Sequence, residues 1–197
     1  MKKKKIFSRK NDKFYLRKKY LKKRKALHLK IKKFNFNLIF RIIKKYFYKK
    51  KIIIACYYPS NSEVNILKFI ENASKRNFKI ALPVIKKSGN MSFQPWVFND
   101  PLYVSNFGIL EPKKSKKKII PDLILVPLVA FDKNLNRVGY GGGYYDRILR
   151  KIRIINKKAI FLGVAFSFQK CQRINVNRYD FKLDYIFTNQ GIISSNK

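Results

Sequence analysis

The stretch "KIIIACYYP" at residues 51–59 is a short apolar run, and "KIALPVI" at residues 79–85 is a second. Between them, "SEVNILKFIENASKRN" has a helical pattern. Short continuous apolar runs are typical of strands covered on both faces, and the intervening segment is long enough for a crossover between parallel strands. The segment therefore predicts a β-α-β unit.

The same alternation continues towards the C-terminus. Further strands are predicted at "DLILVPLVAF" (122–131), "KKAIFLGVAF" (157–166) and "LDYIFTN" (183–189), with a helix at "YDRILRKIR". Two amphipathic helices are predicted earlier, over residues 13–33 and 37–50, and residues 86–118 form the longest loop-like section. Alternating strands and helices predict a single three-layer α/β/α domain with a mostly parallel, Rossmann-like sheet.

The composition bounds the domain and its compartment. We expect residues 1–12 to be a disordered basic leader, residues 13–190 to be the α/β domain, and residues 191–197 to be a C-terminal tail. The longest apolar-rich run has too few residues to span a bilayer, and the N-terminus lacks a signal-peptide core, so no membrane contact is expected. Two distant cysteines encode neither a disulfide framework nor a zinc knuckle, which favours the reducing cytoplasm.

The formal charge of +37 raises a second interpretation, a noncatalytic basic protein that binds nucleic acid or the ribosome. The charge is mostly lysine, runs along the whole chain, and accompanies abundant Ile, Asn, Phe and Tyr. Such a composition is also produced by AT-rich codons, and neither an RNP-like aromatic motif nor a helix-turn-helix is present. Nucleic-acid binding is therefore the alternative hypothesis.

The stretch "NRVGYGGGYYDRIL" at residues 136–149 follows a predicted strand and opens a predicted helix, which is where open α/β sheets bind ligands. Its glycines let backbone N–H groups approach a polyphosphate. Arg137 offers a guanidinium fork to phosphate, and Asp146 is a hard oxygen ligand for Mg²⁺. It is neither a Walker A loop nor GxGxxG, because Tyr144 stands at the third glycine position. The alternative is a glycine-rich turn with packing tyrosines.

The run "PDLILVPLVAFDKNLNRVGYGGGYYDRIL" resembles the hallmark of the 5-formyltetrahydrofolate cyclo-ligase (5,10-methenyltetrahydrofolate synthetase) family. "KFYLR", "YYPSNSEV", "MSFQPW", "GILEP", "GVAFSFQ" and "RYDFKLDYIFTN" follow in the family's order, so the resemblance covers about residues 13–190. It implies ATP- and Mg²⁺-dependent cyclisation of 5-formyltetrahydrofolate to 5,10-methenyltetrahydrofolate through an iminium phosphate, with release of ADP and phosphate. An inactive, degenerate member of the family is a further alternative.

The resemblance also implies roles for single residues. The implied ATP-binding residues are Lys13, Arg17, Arg137, Val138, Gly139, Tyr140, Gly141, Gly142, Gly143, Tyr144 and Tyr145. The implied folate-binding residues are Tyr58, Glu63, Tyr140, Gly141, Gly142, Gly143 and Tyr144. The implied catalytic residues are Arg137 and Tyr144, and the implied metal ligands are Asp146 and Asp180.

Several of these assignments have ordinary structural alternatives. Lys13 and Arg17 lie four residues apart on one helix face but would be solvated cations without the family register. Glu63 could be an acidic residue in the first turn of a helix, and Asp184 could be confused with Asp180. Leu135 replaces a glycine that is common in the family, which makes the turn before the glycine-rich stretch a point of interest. The expected substrates are ATP and formylfolate, with or without a polyglutamate tail, and the expected state is a monomer or weak dimer.

Overall fold

The computed structural model describes residues 12–31, 33–48, 51–86, 89–105, 108–114 and 119–195. Of the expected leader, Asp12 is described and residues 1–11 lie outside this part of the chain. The helices are α1 (Lys13–Leu27), a 3₁₀ turn (His28–Lys30), α2 (Asn37–Tyr46), α3 (Leu67–Lys75), α4 (Tyr144–Ile155) and a 3₁₀ turn (Ser167–Gln169). The strands of the main sheet are β1 (Ile53–Ala55), β2 (Lys79–Ile85), β3 (Met91–Trp96), β6 (Leu123–Pro127), β9 (Ile160–Val164), β10 (Tyr185–Thr188) and β11 (Gly191–Ser194). Two small antiparallel pairs are formed by β4 (Leu102–Val104) with β5 (Leu110–Pro112) and by β7 (Ala130–Phe131) with β8 (Arg137–Val138).

The seven-stranded sheet runs in the order β11-β10-β9-β6-β1-β2-β3. The five central strands are parallel, and the two edge strands β3 and β11 are antiparallel to their neighbours. Numbered along the chain, the parallel strands follow the doubly wound order 2-1-3-4-5, in which the order reverses between β1 and β6. The predicted α/β fold with a mostly parallel sheet is confirmed.

Helices cover both faces of the sheet, and β6 shows how. Leu123 and Leu125 belong to the core on the side of α2 and α3, whereas Ile124 and Val126 belong to the core on the side of α4. Alternate residues of a strand point to opposite faces, so a strand that is apolar at every position is buried twice. The continuous apolar runs of the sequence are thus explained by the three layers.

Three expectations about elements are corrected. Residues 86–118 are not one loop, because β3, β4 and β5 lie within them. The strand expected over 122–131 ends at Pro127, and β7 pairs separately with β8. Residues 191–194, expected in a tail outside the domain, form β11 and pair with β10. An edge strand needs only one neighbour, so its sequence pattern is weaker than that of a central strand.

Helix α1 packs across β7 and β8. The carboxylate of Asp12 caps the helix by accepting a 2.7 Å hydrogen bond from the backbone N–H of Phe14. Leu16 and Tyr20 are buried with Val138, as expected for an apolar face. Phe14 and Leu29, two further apolar residues of the helix predicted over residues 13–33, are exposed. Among the described residues, no helix has the length and apolarity to cross a membrane.

Candidate active site

A cavity of about 890 Å³ opens at the carboxyl ends of β1 and β6, where the strand order reverses. Two loops contribute to its wall: residues 56–66, which follow β1, and residues 139–143, which precede α4 and are called the glycine loop below. The crevice at such a reversal is the usual ligand site of doubly wound sheets, because two neighbouring loops leave it in opposite directions.

The cavity brings together nearly all the residues that the sequence analysis selected. Its lining includes Lys13, Arg17, Tyr58, Glu63, Arg137, Gly139, Tyr140, Gly141, Gly142, Gly143, Tyr144, Tyr145, Asp146 and Asp180. Val138 is the exception: its side chain is buried against Leu16 and Tyr20 in the core under α1. The side chain of Val138 therefore packs, and its expected contact with ATP stays a prediction for its main chain.

The glycine loop has a backbone that larger residues would not adopt. Gly141 has φ +116° and Gly143 has φ +65°, and Gly143 is the N-cap of α4. A Cβ atom added to Gly142 would lie 2.4 Å from Cε2 of Tyr144. The loop therefore keeps its main chain bare beside Tyr144, and the N-terminus of α4, whose positive dipole end favours anions, borders the cavity.

Two cations of α1 line the cavity, and one of them contacts the glycine loop. Arg17 Nε donates a 2.8 Å hydrogen bond to the carbonyl of Gly139, and its guanidinium lies beside Gly141. Lys13 forms an ion pair with Asp180. Both side chains line the cavity, so the alternative that they are ordinary solvated cations is wrong.

Arg137 and the two selected aspartates form a second charged group. Arg137 is buried, and its Nη2 and Nη1 donate to Asp146 Oδ1 at 2.7 Å and to the carbonyl of Phe181 at 2.6 Å. The backbone N–H of Phe181 donates to the same Asp146 oxygen at 3.0 Å, which brings the chain around Asp180 next to Asp146. In the free protein the Arg137 guanidinium is therefore bonded to protein oxygens and stabilises the fold; it does not present both of its Nη groups to a phosphate. Asp146 and Asp180 both line the cavity.

Asp184 is resolved from Asp180 by its partners. Both of its oxygens accept hydrogen bonds from Arg153 Nη2, at 2.8 and 2.7 Å, and Oδ2 also accepts one from the backbone N–H of Phe161. It does not line the cavity. Asp184 is a structural residue that joins β9, β10 and α4, as the alternative at the start of a strand predicted.

Glu63 does not begin a helix, because α3 starts at Leu67. It lies half-buried in the loop after β1, where Oε1 accepts a 2.6 Å hydrogen bond from the hydroxyl of Tyr140. Oε2 accepts hydrogen bonds from the backbone N–H and the hydroxyl of Ser60, at 3.0 and 3.4 Å. Burial raises the pKa of the Glu63 carboxyl, against the opposing effects of Tyr140, Ser60 and Arg24.

Aromatic side chains complete the wall. Tyr145 lines the cavity, and its buried hydroxyl has no hydrogen-bond partner in the described part of the chain. Burial raises the pKa of this hydroxyl well above its ordinary value. Tyr58 packs edge-on against Trp96 at a centroid distance of 6.4 Å, and the guanidinium of Arg147 lies 5.2 Å from the centre of the Tyr144 ring. An unpaired buried hydroxyl in a cavity wall is a ready hydrogen-bond partner for a ligand.

Sequence reasoning missed two arginines around the site. Arg147 joins the glycine loop to the turn between β2 and β3, because it donates to the carbonyls of Gly142 and Gly89 at 3.0 and 3.1 Å. Arg24 is buried behind Tyr140. In so basic a chain, residue type alone does not distinguish Arg24 from the many exposed cations. The available clue was its position, four residues after Tyr20 and eight after Leu16, which places it on the same face of the helix as these two residues.

Comparisons of the sequence with known proteins point to one family. The sequence model of the 5-formyltetrahydrofolate cyclo-ligase family matches residues 9–189. The 5-formyltetrahydrofolate cyclo-ligase of Mycoplasma pneumoniae is 32% identical over 186 residues, which cover 91% of this chain and 99% of that protein. That of Haemophilus influenzae is 32% identical over 136 residues, covering 66% and 72%.

Two solved structures share the fold along nearly the whole chain. The 5,10-methenyltetrahydrofolate synthetase of Aquifex aeolicus superposes with a TM-score of 0.70 at 28% identity, covering 94% of this chain and 93% of that one. The 5,10-methenyltetrahydrofolate synthetase of Mycoplasma pneumoniae gives 0.64 at 26% identity, covering 93% and 99%. The expectation that the chain is an enzyme of this kind is confirmed. The chain belongs to the 5-formyltetrahydrofolate cyclo-ligase family.

Proposed function

We propose that this enzyme cyclises 5-formyltetrahydrofolate to 5,10-methenyltetrahydrofolate at the expense of ATP, which becomes ADP and phosphate. The observation that carries the proposal is that one cavity is lined by the glycine loop, by the cations next to it and by the carboxylate of Glu63. Such a reaction needs a polyanion and a folate side by side, because the γ-phosphoryl group must pass to the formyl oxygen.

The glycine loop and α1 supply what a triphosphate requires. Bare N–H groups, the N-terminus of α4 and the side chains of Lys13 and Arg17 provide hydrogen-bond donors and positive charge at one wall. This arrangement supports binding of the ATP phosphates there, and Tyr144 lies beside the loop where the transferred group would pass.

The loop after β1 supplies what a pterin requires. The carboxylate of Glu63, now bonded to Tyr140 and Ser60, is the group that could accept an amino group and an adjacent ring N–H, the paired donors that a carboxylate accepts well. Tyr58 offers an aromatic face, and the hydroxyl of Tyr145, which has no partner among the described residues, offers a further hydrogen bond. These features support a folate bound in the same cavity, next to the phosphates.

The carboxylates of Asp146 and Asp180 fit a magnesium ion that is shared with phosphates. Mg²⁺ at nucleotide sites takes one or two carboxylates and fills its other positions with water and phosphate oxygens. No group of three or more metal-binding side chains occurs among the described residues, which agrees with that pattern. When bound, the ion would neutralise charge on the phosphates of ATP.

In the proposed mechanism, the formyl oxygen attacks the γ-phosphorus of ATP, and the bond from phosphorus to the bridging oxygen of ADP breaks. The product is an iminium phosphate at N-5. N-10 then attacks its carbon and loses its proton to solvent, and the bond from carbon to the phosphate oxygen breaks as phosphate leaves. Lys13, Arg17 and the loop N–H groups hold the phosphates in line, and Glu63 holds the pterin so that N-10 faces the carbon. A monomeric or weakly dimeric state, a cytoplasmic location and the use of folates with or without a polyglutamate tail remain parts of this proposal.

The test is the growth of the methenyltetrahydrofolate absorbance band after the purified protein is mixed with 5-formyltetrahydrofolate, Mg²⁺ and ATP. Growth that requires ATP and Mg²⁺, with stoichiometric ADP, is the expected result. A folded protein that produces no band would overturn the proposal and return attention to the nucleic-acid alternative, which a salt series of RNA and DNA binding would examine.

A further inference from the structure

Helix α1 buries Arg24 on its inner face, where an apolar residue would normally be expected. Leu16, Tyr20 and Arg24 are the three buried residues of α1, one turn apart. The Arg24 side chain is 1% exposed. Arginine is almost never buried so fully unless an anion lies next to it, since removing a guanidinium from water is costly.

No carboxylate among the described residues lies within ion-pair distance of Arg24. Its Nη2 donates to the Asn61 carbonyl at 2.9 Å and to the Tyr140 hydroxyl at 2.5 Å, and Nη1 makes a long 3.4 Å contact with the Leu128 carbonyl. Its Nε is buried without a partner in the same described set. An incompletely satisfied buried cation costs stability, so its burial calls for another reason.

The contacts of Tyr140 supply that reason. One hydroxyl both accepts from Arg24 and donates to Glu63 Oε1 at 2.6 Å, so three residues from α1, the glycine loop and the loop after β1 form a chain. The Arg24 guanidinium also lies 5.4 Å from the centre of the Tyr140 ring. A hydroxyl that accepts from a cation becomes a stronger donor, so Arg24 strengthens the bond that holds Glu63.

We propose that Arg24 is a positioning residue for folate binding: through the hydroxyl of Tyr140 it orients the Glu63 carboxylate. The inference rests on the proposed function, in which Glu63 accepts hydrogen bonds from the pterin. Ionised Glu63 is needed for that, because a protonated carboxyl would present a donor where the pterin also has donors.

Four charged or titratable groups interact with Glu63 in the part of the chain that the structure describes. They are Arg24 on α1, Tyr140 in the glycine loop, Tyr145 on α4 and Tyr57 in the loop of Glu63 itself. Arg24 is the cation among them. Burial raises the pKa of Glu63, and the charge of Arg24 lowers it, so removal of Arg24 moves that pKa further upward.

The experiment compares Arg24→Met and Arg24→Lys with Lys25→Met, which removes one charge from the exposed next position of the same helix. Steady-state rates give the KM for 5-formyltetrahydrofolate and for ATP separately, and kcat/KM for the folate is followed across pH. For Arg24→Met we expect a folate KM about tenfold to a hundredfold higher, an ATP KM within about twofold, and an acid limb displaced to higher pH. Arg24→Lys should recover part of both effects, and Lys25→Met should match the wild type.

A double-mutant cycle keeps the test decisive if Arg24→Met does not fold. When Arg24→Lys is placed in a Tyr140→Phe background, its effect on the folate KM should largely vanish, because the connecting hydroxyl is gone. Additive effects in the cycle, or a folded Arg24→Met with the wild-type folate KM and acid limb, would overturn the role of Arg24 alone. A wild type that forms no product would overturn the proposed function as well, so the two failures are distinguishable.

Discussion

Nη2 of Arg137 lies 2.7 Å from Oδ1 of Asp146, and this ion pair joins β8 to the first turn of α4. Burial lowers the pKa of the Arg137 guanidinium, and the charge of Asp146 opposes that effect. The same carboxylate is the proposed magnesium ligand. If that proposal holds, one side chain would stabilise the fold in the free protein and bind the metal in the loaded one.

Asp146→Asn should lower kcat by about 100-fold or more, because the phosphates lose a metal-neutralised position. The variant should also need more Mg²⁺ for half-maximal rate, which a magnesium titration of the absorbance assay measures. Asp184→Asn is the matched control: it loses a pair with Arg153 outside the cavity and should lose stability while keeping its magnesium dependence. Wild-type turnover in folded Asp146→Asn would remove the metal assignment.

Glu63→Gln should separate stability from function. Burial raises the folded-state pKa of Glu63 above its ordinary value of 4.5, so the folded protein binds this proton more tightly than the unfolded chain does. The contribution of this tighter proton binding to the free energy of unfolding is fully present below pH 4.5 and is lost as pH rises through the folded-state pKa of Glu63. Relative to Glu63→Gln, the wild type should therefore become less stable as pH rises above that value.

Urea unfolding of both proteins between about pH 4 and pH 8 measures this difference. The folate KM of Glu63→Gln should rise at every pH, because one of the two acceptor oxygens becomes an NH₂ group that donates where the pterin also donates. A stability difference that stays constant across the range would show that Glu63 does not titrate differently in the folded protein.

Gly142→Ala should damage the site and leave the fold intact. The new methyl group would lie 2.4 Å from Cε2 of Tyr144, so either the ring or the loop must move. Both belong to the proposed phosphate wall, and we expect kcat/KM for ATP to fall by about tenfold or more. The midpoint of thermal unfolding should change little, since the loop borders an open cavity. An unchanged rate would indicate that Tyr144 can rotate away at no cost.

Gly163→Ala should give the opposite result. Gly163 lies in central strand β9, where an added Cβ would meet Cδ atoms of Ile186, Leu183 and Leu128 at 2.6–2.8 Å. Overpacking of this kind costs about 1–3 kcal/mol, which lowers Tm by about 2–4 °C for each kcal/mol in a chain of this size. Rates measured well below Tm should match the wild type. A Tm equal to that of the wild type would mean that the three side chains repack freely.

The sequence predicted the central sheet well because doubly buried strands are apolar throughout, and β6 and β9 are nearly free of polar residues. It did not predict β3, which carries Pro95 and pairs on one side only, so its pattern resembles a loop. At the site, the glycine loop was readable because its residue types are rare together. Arg24 and Arg147 were not, since their roles depend on burial and on carbonyl groups that only the folded chain brings near.

Leu135→Gly tests why this chain departs from the glycine common at that position in the family. Leu135 has φ +65°, a conformation that costs a side-chain-bearing residue about 1 kcal/mol, and it is fully buried. Glycine would relieve the backbone strain but delete a core side chain worth about 2–5 kcal/mol, so the burial term is larger. The stability order should be wild type, then Leu135→Gly, then Leu135→Ala, because alanine loses the packing and keeps the strain. Chemical unfolding of the three proteins measures the order, and a glycine variant more stable than the wild type would show that the strain exceeds the burial.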